Sequence, residues 1–303
     1  MVNFVNAEGK KYSPETVEKL EKLLAEVNAV YPPKPSVRLT PVREKCTVFD
    51  SKLGGVPYFP KGMEYPTVRE GELAGKPLFL LAQLNFAQLP AVDGFPDKGI
   101  LQFFAGCSDD DCYGIDFRDY QKQNGFRVIY HRDVITDESK LMSAEDMPKF
   151  DEVFLPFNGE FHLKSNGIEL SYANPEFYGF EKAAVNAYNK LFGTNVVSVY
   201  GSEYSGEIGI RTVDNALYDA IYEVDYNQIH SRIGGYPFFT QDDPRPCSEE
   251  YERCDVLLFQ LDSEGDGEDE IMWGDCGVGN FFINADDLRN LDFSKVLYSW
   301  DCC

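Results

Sequence analysis

The sequence predicts an α+β fold: two similar antiparallel-sheet half-units from an internal duplication, with a few peripheral helices. Three observations carry that expectation. Four short blocks occur twice in the same order. Apolar runs of strand length are bounded by glycine and proline. Helical periodicity is confined to a few segments and never alternates regularly with the strands.

The repeat is explicit. Ser51-Lys52-Leu53-Gly54-Gly55-Val56-Pro57-Tyr58-Phe59 returns as Ser231-Arg232-Ile233-Gly234-Gly235-Tyr236-Pro237-Phe238-Phe239. Leu80-Leu81-Ala82-Gln83-Leu84 returns as Leu257-Leu258-Phe259-Gln260-Leu261, and Phe103-Phe104 as Phe281-Phe282. The last block, from Val128 to Asp133, matches Val296 to Asp301 at a shorter spacing, as one deletion would leave it. Two half-units follow. The first is 1–140, a helix plus the repeat 51–133; the second is 141–303, a helix over 175–192 plus the repeat 231–301.

In chain order, Ser13 is a helix cap and Pro14 suits the first helical position. Val17, Leu20, Leu23, Leu24, Val27 and Val30 make one apolar stripe before Pro32-Pro33 ends it. Strands are expected over 77–84, 99–105 and 126–130, where Phe, Val, Ile and Tyr concentrate. A second helix is expected from Pro175 to Phe192, capped by Asn174 and stopped by Gly193. Strands return over 256–261, 279–283 and 295–300. A short helix begins at Asn284, with Asp286 and Asp287 set against its N-terminal dipole.

Composition narrows the functional classes. The chain has 303 residues, 43% hydrophobic and 14% aromatic, as a globular protein does. No apolar stretch reaches the length of a bilayer span, and Met1–Glu8 lacks the regions of a secretory signal, so a cytoplasmic protein without membrane partners is expected. Fifty-one acids against 28 bases give a net charge of −23. That field repels nucleic acid and leaves two readings: solubility, or attraction of a basic protein or peptide. Eight cysteines with no Cys-x-x-Cys pair, and only three histidines, do not make a zinc site. No catalytic triad and no cofactor fingerprint is present, so no catalytic residue, cofactor or metal is assigned.

The candidate binding residues are of three kinds. The paired glycines reach backbone angles closed to other residues, and each following proline fixes the chain's exit. Such a corner either fills the core with its aromatics or presents Tyr58, Phe59, Phe238 and Phe239 to a peptide. Gln83 and Gln260 stand inside apolar strands, where an amide without partners costs about 1–3 kcal/mol. Each either ties down its own corner or reads the backbone of an added strand. Asp262, Glu264, Asp266, Glu268, Asp269 and Glu270 concentrate charge in one hairpin. Its opening resembles a calcium loop, but Trp273 stands where the closing glutamate belongs. A solvated hairpin, a landing site for a basic partner and, least favoured, a calcium loop are the readings, as for Asp109-Asp110-Asp111. Asp275 beside Cys276, with nearby acids, serves the alternative of an enzyme or small-ligand binder using the cleft between the repeats. The closing Cys302-Cys303 pair has no neighbouring cation to activate it, and burial of the last strand is the expectation.

Taken together, these residues resemble the YwqG-like family of bacterial proteins of unknown function. The carriers are Gly54–Phe59, Leu80–Asn85, Gly99–Phe104, Ile233–Arg245, Met272–Ile283 and Tyr298–Cys303. That family is similar, more distantly, to the eukaryotic programmed cell death protein 2, whose relatives are regarded as chaperones of a basic ribosomal protein. The resemblance thus implies protein binding, either chaperone-like or as an immunity-type neutraliser of a toxin. The cysteine-rich zinc module of the eukaryotic proteins is missing here, so zinc is not implied.

Overall fold

The computed structural model describes residues 12–150, 154–201, 206–226, 229–265, 267 and 270–302. Its chain divides into two compact units. One comprises Met1–Lys34, Leu170–Ile229 and Gly235–Asp243; the other comprises Pro35–Glu169, His230–Gly234 and Pro244–Cys303.

The first unit is helical. Helix α1 (Pro14–Val30) starts where its cap predicts, with the Ser13 hydroxyl accepting from the Thr16 N–H at 3.1 Å. Leu20, Leu23, Leu24 and Val27 pack with residues of α2 (Phe180–Phe192), among them Phe180, Ala184 and Tyr188. The expected start of α2 needs correction. Asn174 does cap a turn, accepting from the Glu176 and Phe177 N–H groups, but that turn stops and the helix begins at Phe180. The break falls at Gly179, where a Cβ would meet the Tyr31 hydroxyl and the Phe177 ring. Gly193 ends α2 in the left-handed conformation, as expected. Two helices follow that have no counterpart among the expected elements, α3 (Ile210–Val213) and α4 (Asn215–Glu223). Asp214 caps α4 and receives the Lys19 ammonium at 2.9 Å, joining α4 to α1.

The second unit is built on one ten-stranded sheet, so the protein is α+β with antiparallel pairing dominant. In chain order the strands are β1 (Lys34–Val42), β2 (Lys52–Gly54), β3 (Phe79–Asn85), β4 (Ile100–Ala105), β5 (Phe126–His131), β6 (Glu160–Ser171), β7 (Arg232–Gly234), β8 (Val256–Asp262), β9 (Val278–Ile283) and β10 (Leu297–Asp301). Two one-turn helices belong to the second run, α5 (Glu249–Glu252) and α6 (Ala285–Arg289), the latter capped by Asn284 as expected. Across the sheet the order is β10-β9-β8-β7-β1-β6-β2-β3-β4-β5.

That order is crossed at its centre. β1 precedes β2 in the chain yet pairs with β7, and β6 precedes β7 yet pairs with β2. The two runs, β2–β5 and β7–β10, carry matching registers. Gln83 faces Gln102 while Gln260 faces Asn280, and both ladders bulge at the same place, after Leu80 and after Leu257. The final block departs from the sequence alignment: Phe103 faces Val128 whereas Phe281 faces Tyr298, so Val128 corresponds to Tyr298 and not to Val296. A slip of two residues keeps every side chain on its face, which is why the sequence pattern tolerates either alignment. Between the runs, Phe103 meets Phe259 and Phe281 at 5.1 and 4.6 Å between ring centres, and Phe126 meets Tyr298 at 5.1 Å. This aromatic layer is the main core of the sheet unit.

Candidate functional site

The glycine corners are structural joints. Gly54, Gly55, Gly234 and Gly235 all have φ between 62° and 78°. A Cβ on Gly54 would overlap the Gly159 carbonyl, and one on Gly234 would lie 2.9 Å from the Pro35 carbonyl oxygen. Behind the first corner, Tyr58 and Gln83 are sealed from solvent. The Gln83 carbonyl accepts from the Tyr58 N–H at 2.8 Å, and its amide donates to the Val48 and Asp50 carbonyls, both at 2.9 Å. Gln102 extends the chain of amides, donating to the Tyr58 carbonyl and to Gln83 Oε1. Both Gln102 amide protons are thereby used, so its oxygen must accept, and His131 Nε2 at 2.9 Å is the donor. Burial holds the His131 imidazole neutral, its pKa pushed down to about 4.

The second corner has the same frame with different chemistry. Gln260 is equally buried, and its amide donates to the His230 carbonyl at 2.9 Å. Phe238 is half-buried and Phe239 is in the core. Ser231 takes the position of Ser51: each hydroxyl accepts the N–H of the last residue of the neighbouring strand, Asn85 in one run and Asp262 in the other. Each serine hydroxyl also faces a second side chain, Gln88 in the first run and Glu264 in the second, the latter at 2.6 Å. Two neutral amides in one run thus correspond to two carboxyls in the other.

Asp262 is therefore buried and Glu264 half-buried. Asp262 is 3% exposed, and burial, reinforced by Glu264, pushes its pKa up to about 7 against the pull of the Ser263 N–H and Arg232. Glu264 is also raised by burial. Lys52 and Arg232, at matching positions in β2 and β7, are sealed cations. Lys52 donates to the Thr47 and Val56 carbonyls with Glu160 at 3.5 Å, and burial lowers its pKa. Arg232 lies 3.9 Å from Glu169. Of the other candidates, Glu270 and Asp275 are exposed, whereas Asp266, Glu268 and Asp269 lie outside the described residues, as do Cys303 and the side chains of Asp109, Asp110 and Asp111.

Among the described residues, acids also gather on a second surface. A cleft of about 840 Å³ is lined by Glu249, Glu250, Asp286, Asp287 and Asp292, with Arg253 and Lys295 among its other walls. Its acids are held by helix caps. The Ser248 hydroxyl accepts from the Tyr251 N–H at the start of α5, and the Asn284 side chain accepts from the Asp286 and Asp287 N–H groups at the start of α6. Lys295 pairs with Glu250 at 3.1 Å, which leaves the carboxylates in excess. The Cys254 thiol borders this cleft, but it is 2% exposed and burial pushes its pKa up to about 11, so it is no nucleophile at neutral pH. The doublets Glu249-Glu250 and Asp286-Asp287 were the available sequence signal; nothing local said that they would share one cleft.

The described residues contain no group of three or more His, Cys, Asp or Glu arranged to hold a metal. No described helix is long and apolar enough to cross a membrane. The sequence pattern of one family, the domain of unknown function DUF1963, matches residues 51–302. The chain belongs to the DUF1963 family. That match spans both glycine corners and all the strands except β1, so the DUF1963 region takes in both runs of the sheet. No curated protein matches the chain.

Proposed function

We propose that this DUF1963 protein is a non-enzymatic binding protein that receives a basic segment of a partner protein in the cleft between α5 and α6. Sheltering or neutralising such a partner is the activity, chaperone-like or immunity-type. The observation that carries the reading is the cleft itself: five carboxylates from three chain segments converge there, two pairs of them fixed by helix caps. A net charge of −23 raises the rate at which a basic partner finds the surface, and clustered charge then holds it in register. The YwqG-like resemblance supports protein binding in the cytoplasm. We further infer that the two runs descend from one duplicated unit; their common register, bulge and serine support this. The frame is then inherited, and the cleft belongs to one copy alone.

The test is recovery of partners from the native cell on immobilised wild-type protein and on the quadruple variant Glu249→Gln, Glu250→Gln, Asp286→Asn and Asp287→Asn. The expected partner is basic, is released by about 0.5 M salt, where the screening length falls below about 5 Å, and is lost on the variant. A partner retained equally by the variant, or indifferent to salt, would sink the reading.

A further inference from the structure

Along the outer edge of β5 runs a groove whose chemistry reverses that of the acidic cleft. It encloses about 560 Å³, a volume suited to a small organic ligand, and no carboxylate lines it. Three cations do: Arg69, Lys122 and Arg127. Lys122 is already neutralised by Glu70 at 2.6 Å and Asp116 at 3.7 Å. The two guanidinium groups are not, since neither has a carboxylate partner among the described residues.

Arg127 is fixed in place. Its Nη2 donates to the Gln123 and Thr67 carbonyls at 3.1 and 3.3 Å, and its Nε to the Phe126 carbonyl at 3.4 Å. Nη1 makes no hydrogen bond among the described residues. Burial, with the nearby positive charge of Arg69, pushes the pKa of Arg127 down to about 10. The exposed Arg69 repels the half-buried Arg127, and a bound anion removes that repulsion as well as adding its own attraction. On a chain of net charge −23, such an uncompensated pair stands out against its surroundings.

The facing wall is apolar and held rigidly. Leu291 and Phe293 stand opposite Val128 and Tyr130, with Tyr130 and Phe293 ring centres 5.3 Å apart. Gln123 clamps the two sides. Its amide donates to the Phe293 and Ser294 carbonyls at 2.7 and 3.2 Å, and its oxygen accepts the Val128 N–H at 2.9 Å. The groove is therefore formed before any ligand arrives.

We propose that this groove is a binding site for a small amphipathic organic acid, its oxyanion between Arg69 and Arg127 and its hydrocarbon body against Leu291 and Phe293. The site does not depend on the acidic cleft or on its partner. Calorimetric titration of the full chain with 3-phenylpropionate, 3-phenylpropanol and inorganic phosphate tests it. The acid should bind, with the alcohol and phosphate each at least about tenfold weaker, since each lacks one half of the recognition. Arg69→Gln, at an exposed position, should weaken the acid about tenfold, the worth of one charge-assisted hydrogen bond. Phe293→Ala should weaken the acid and leave phosphate unchanged. Several results would overturn the proposal: no binding of the acid at about 10 mM, an alcohol as tight as the acid, or an Arg69→Gln protein indistinguishable from wild type. Tighter binding of a blocked Val-Glu-Val-Glu-Val peptide than of the acid would replace the small ligand by an acidic strand and overturn it too.

Discussion

In the run β2–β5 the side chains facing the corner serine are amides; in the run β7–β10 the equivalent places hold carboxyls, while each run seals one cation, Lys52 or Arg232. Asn85 and Gln88 face Ser51 in the first, and Asp262 and Glu264 face Ser231 in the second. Lys52 sits opposite Gln83, and Arg232 sits opposite Gln260. One register therefore supports two kinds of interior. The amide network closes on itself with every proton placed, so it serves rigidity. The charged version keeps Asp262 near neutrality only by raising its pKa, which makes that half of the sheet answer to pH. Geometry at a buried polar position is set by the frame, and its ionisation is set by which residue the frame encloses.

The comparison can be broken most forcefully at Gln83. Gln83→Leu would strand the Tyr58 N–H, the Val48 and Asp50 carbonyls and one Gln102 proton, at about 1–3 kcal/mol each if water cannot reach them. Urea denaturation should show a loss of roughly 4 kcal/mol. A loss below about 1 kcal/mol would mean that the network is not what holds the corner.

The two interiors should next differ in the sign of their pH dependence. The folded pKa of Asp262 lies above its unfolded value, so the fold binds a proton that the unfolded chain has released, and stability falls as pH rises from about 4 to about 7. Asp262→Asn should then gain up to about 4 kcal/mol at pH 8 and nothing near pH 4. His131 behaves oppositely: its folded pKa of about 4 lies below the ordinary 6.5, so its contribution is present above pH 6.5 and is lost as pH falls. His131→Gln should flatten that acid-side loss, up to about 3 kcal/mol. Stability curves of the two variants that bend in the same direction would refute the contrast.

The smallest expected difference lies in the glycines. Alanine at Gly54 overlaps a backbone carbonyl oxygen and alanine at Gly234 meets one at 2.9 Å, so backbone must shift at both and further at the first. Both pay for a left-handed backbone, so Gly54→Ala should cost about 3 kcal/mol and Gly234→Ala about 1–2 kcal/mol. Equal melting temperatures would show that the two corners relax alike.

Much of the fold could be read in advance because it is local. Ser13, Gly193 and Asn284 cap helices by contacts within a few residues, and the apolar blocks around Gln83 and Gln260 can be little else than strands. Four strands escaped: β2 and β7 are only three residues long and lie inside the glycine blocks, and the other two escaped for equally local reasons. β1 carries Pro35 and Pro41, which argue against a central strand, and β6 carries Asn166-Gly167, a turn signal that lies inside the strand instead of ending it. The candidate site was harder. The acid-rich segment opening at Asp262 read as a surface hairpin, but its first two carboxyls turn inward to Ser231 and the sheet.

By itself the sequence determined the pieces: helix ends, strand cores, the paired-glycine joints and an acidic surface somewhere. Only the tertiary structure decided the crossing of β1 and β6, the burial of Asp262 and half-burial of Glu264, and the convergence of Glu249, Glu250, Asp286, Asp287 and Asp292 on one cleft. The physical reason is range. Caps, turns and periodicity act within a few residues, whereas burial and electrostatic surroundings depend on chain segments far apart in sequence. The glycine–proline blocks are where the sequence repeats itself, and the chemistry lies in what the fold gathers around them.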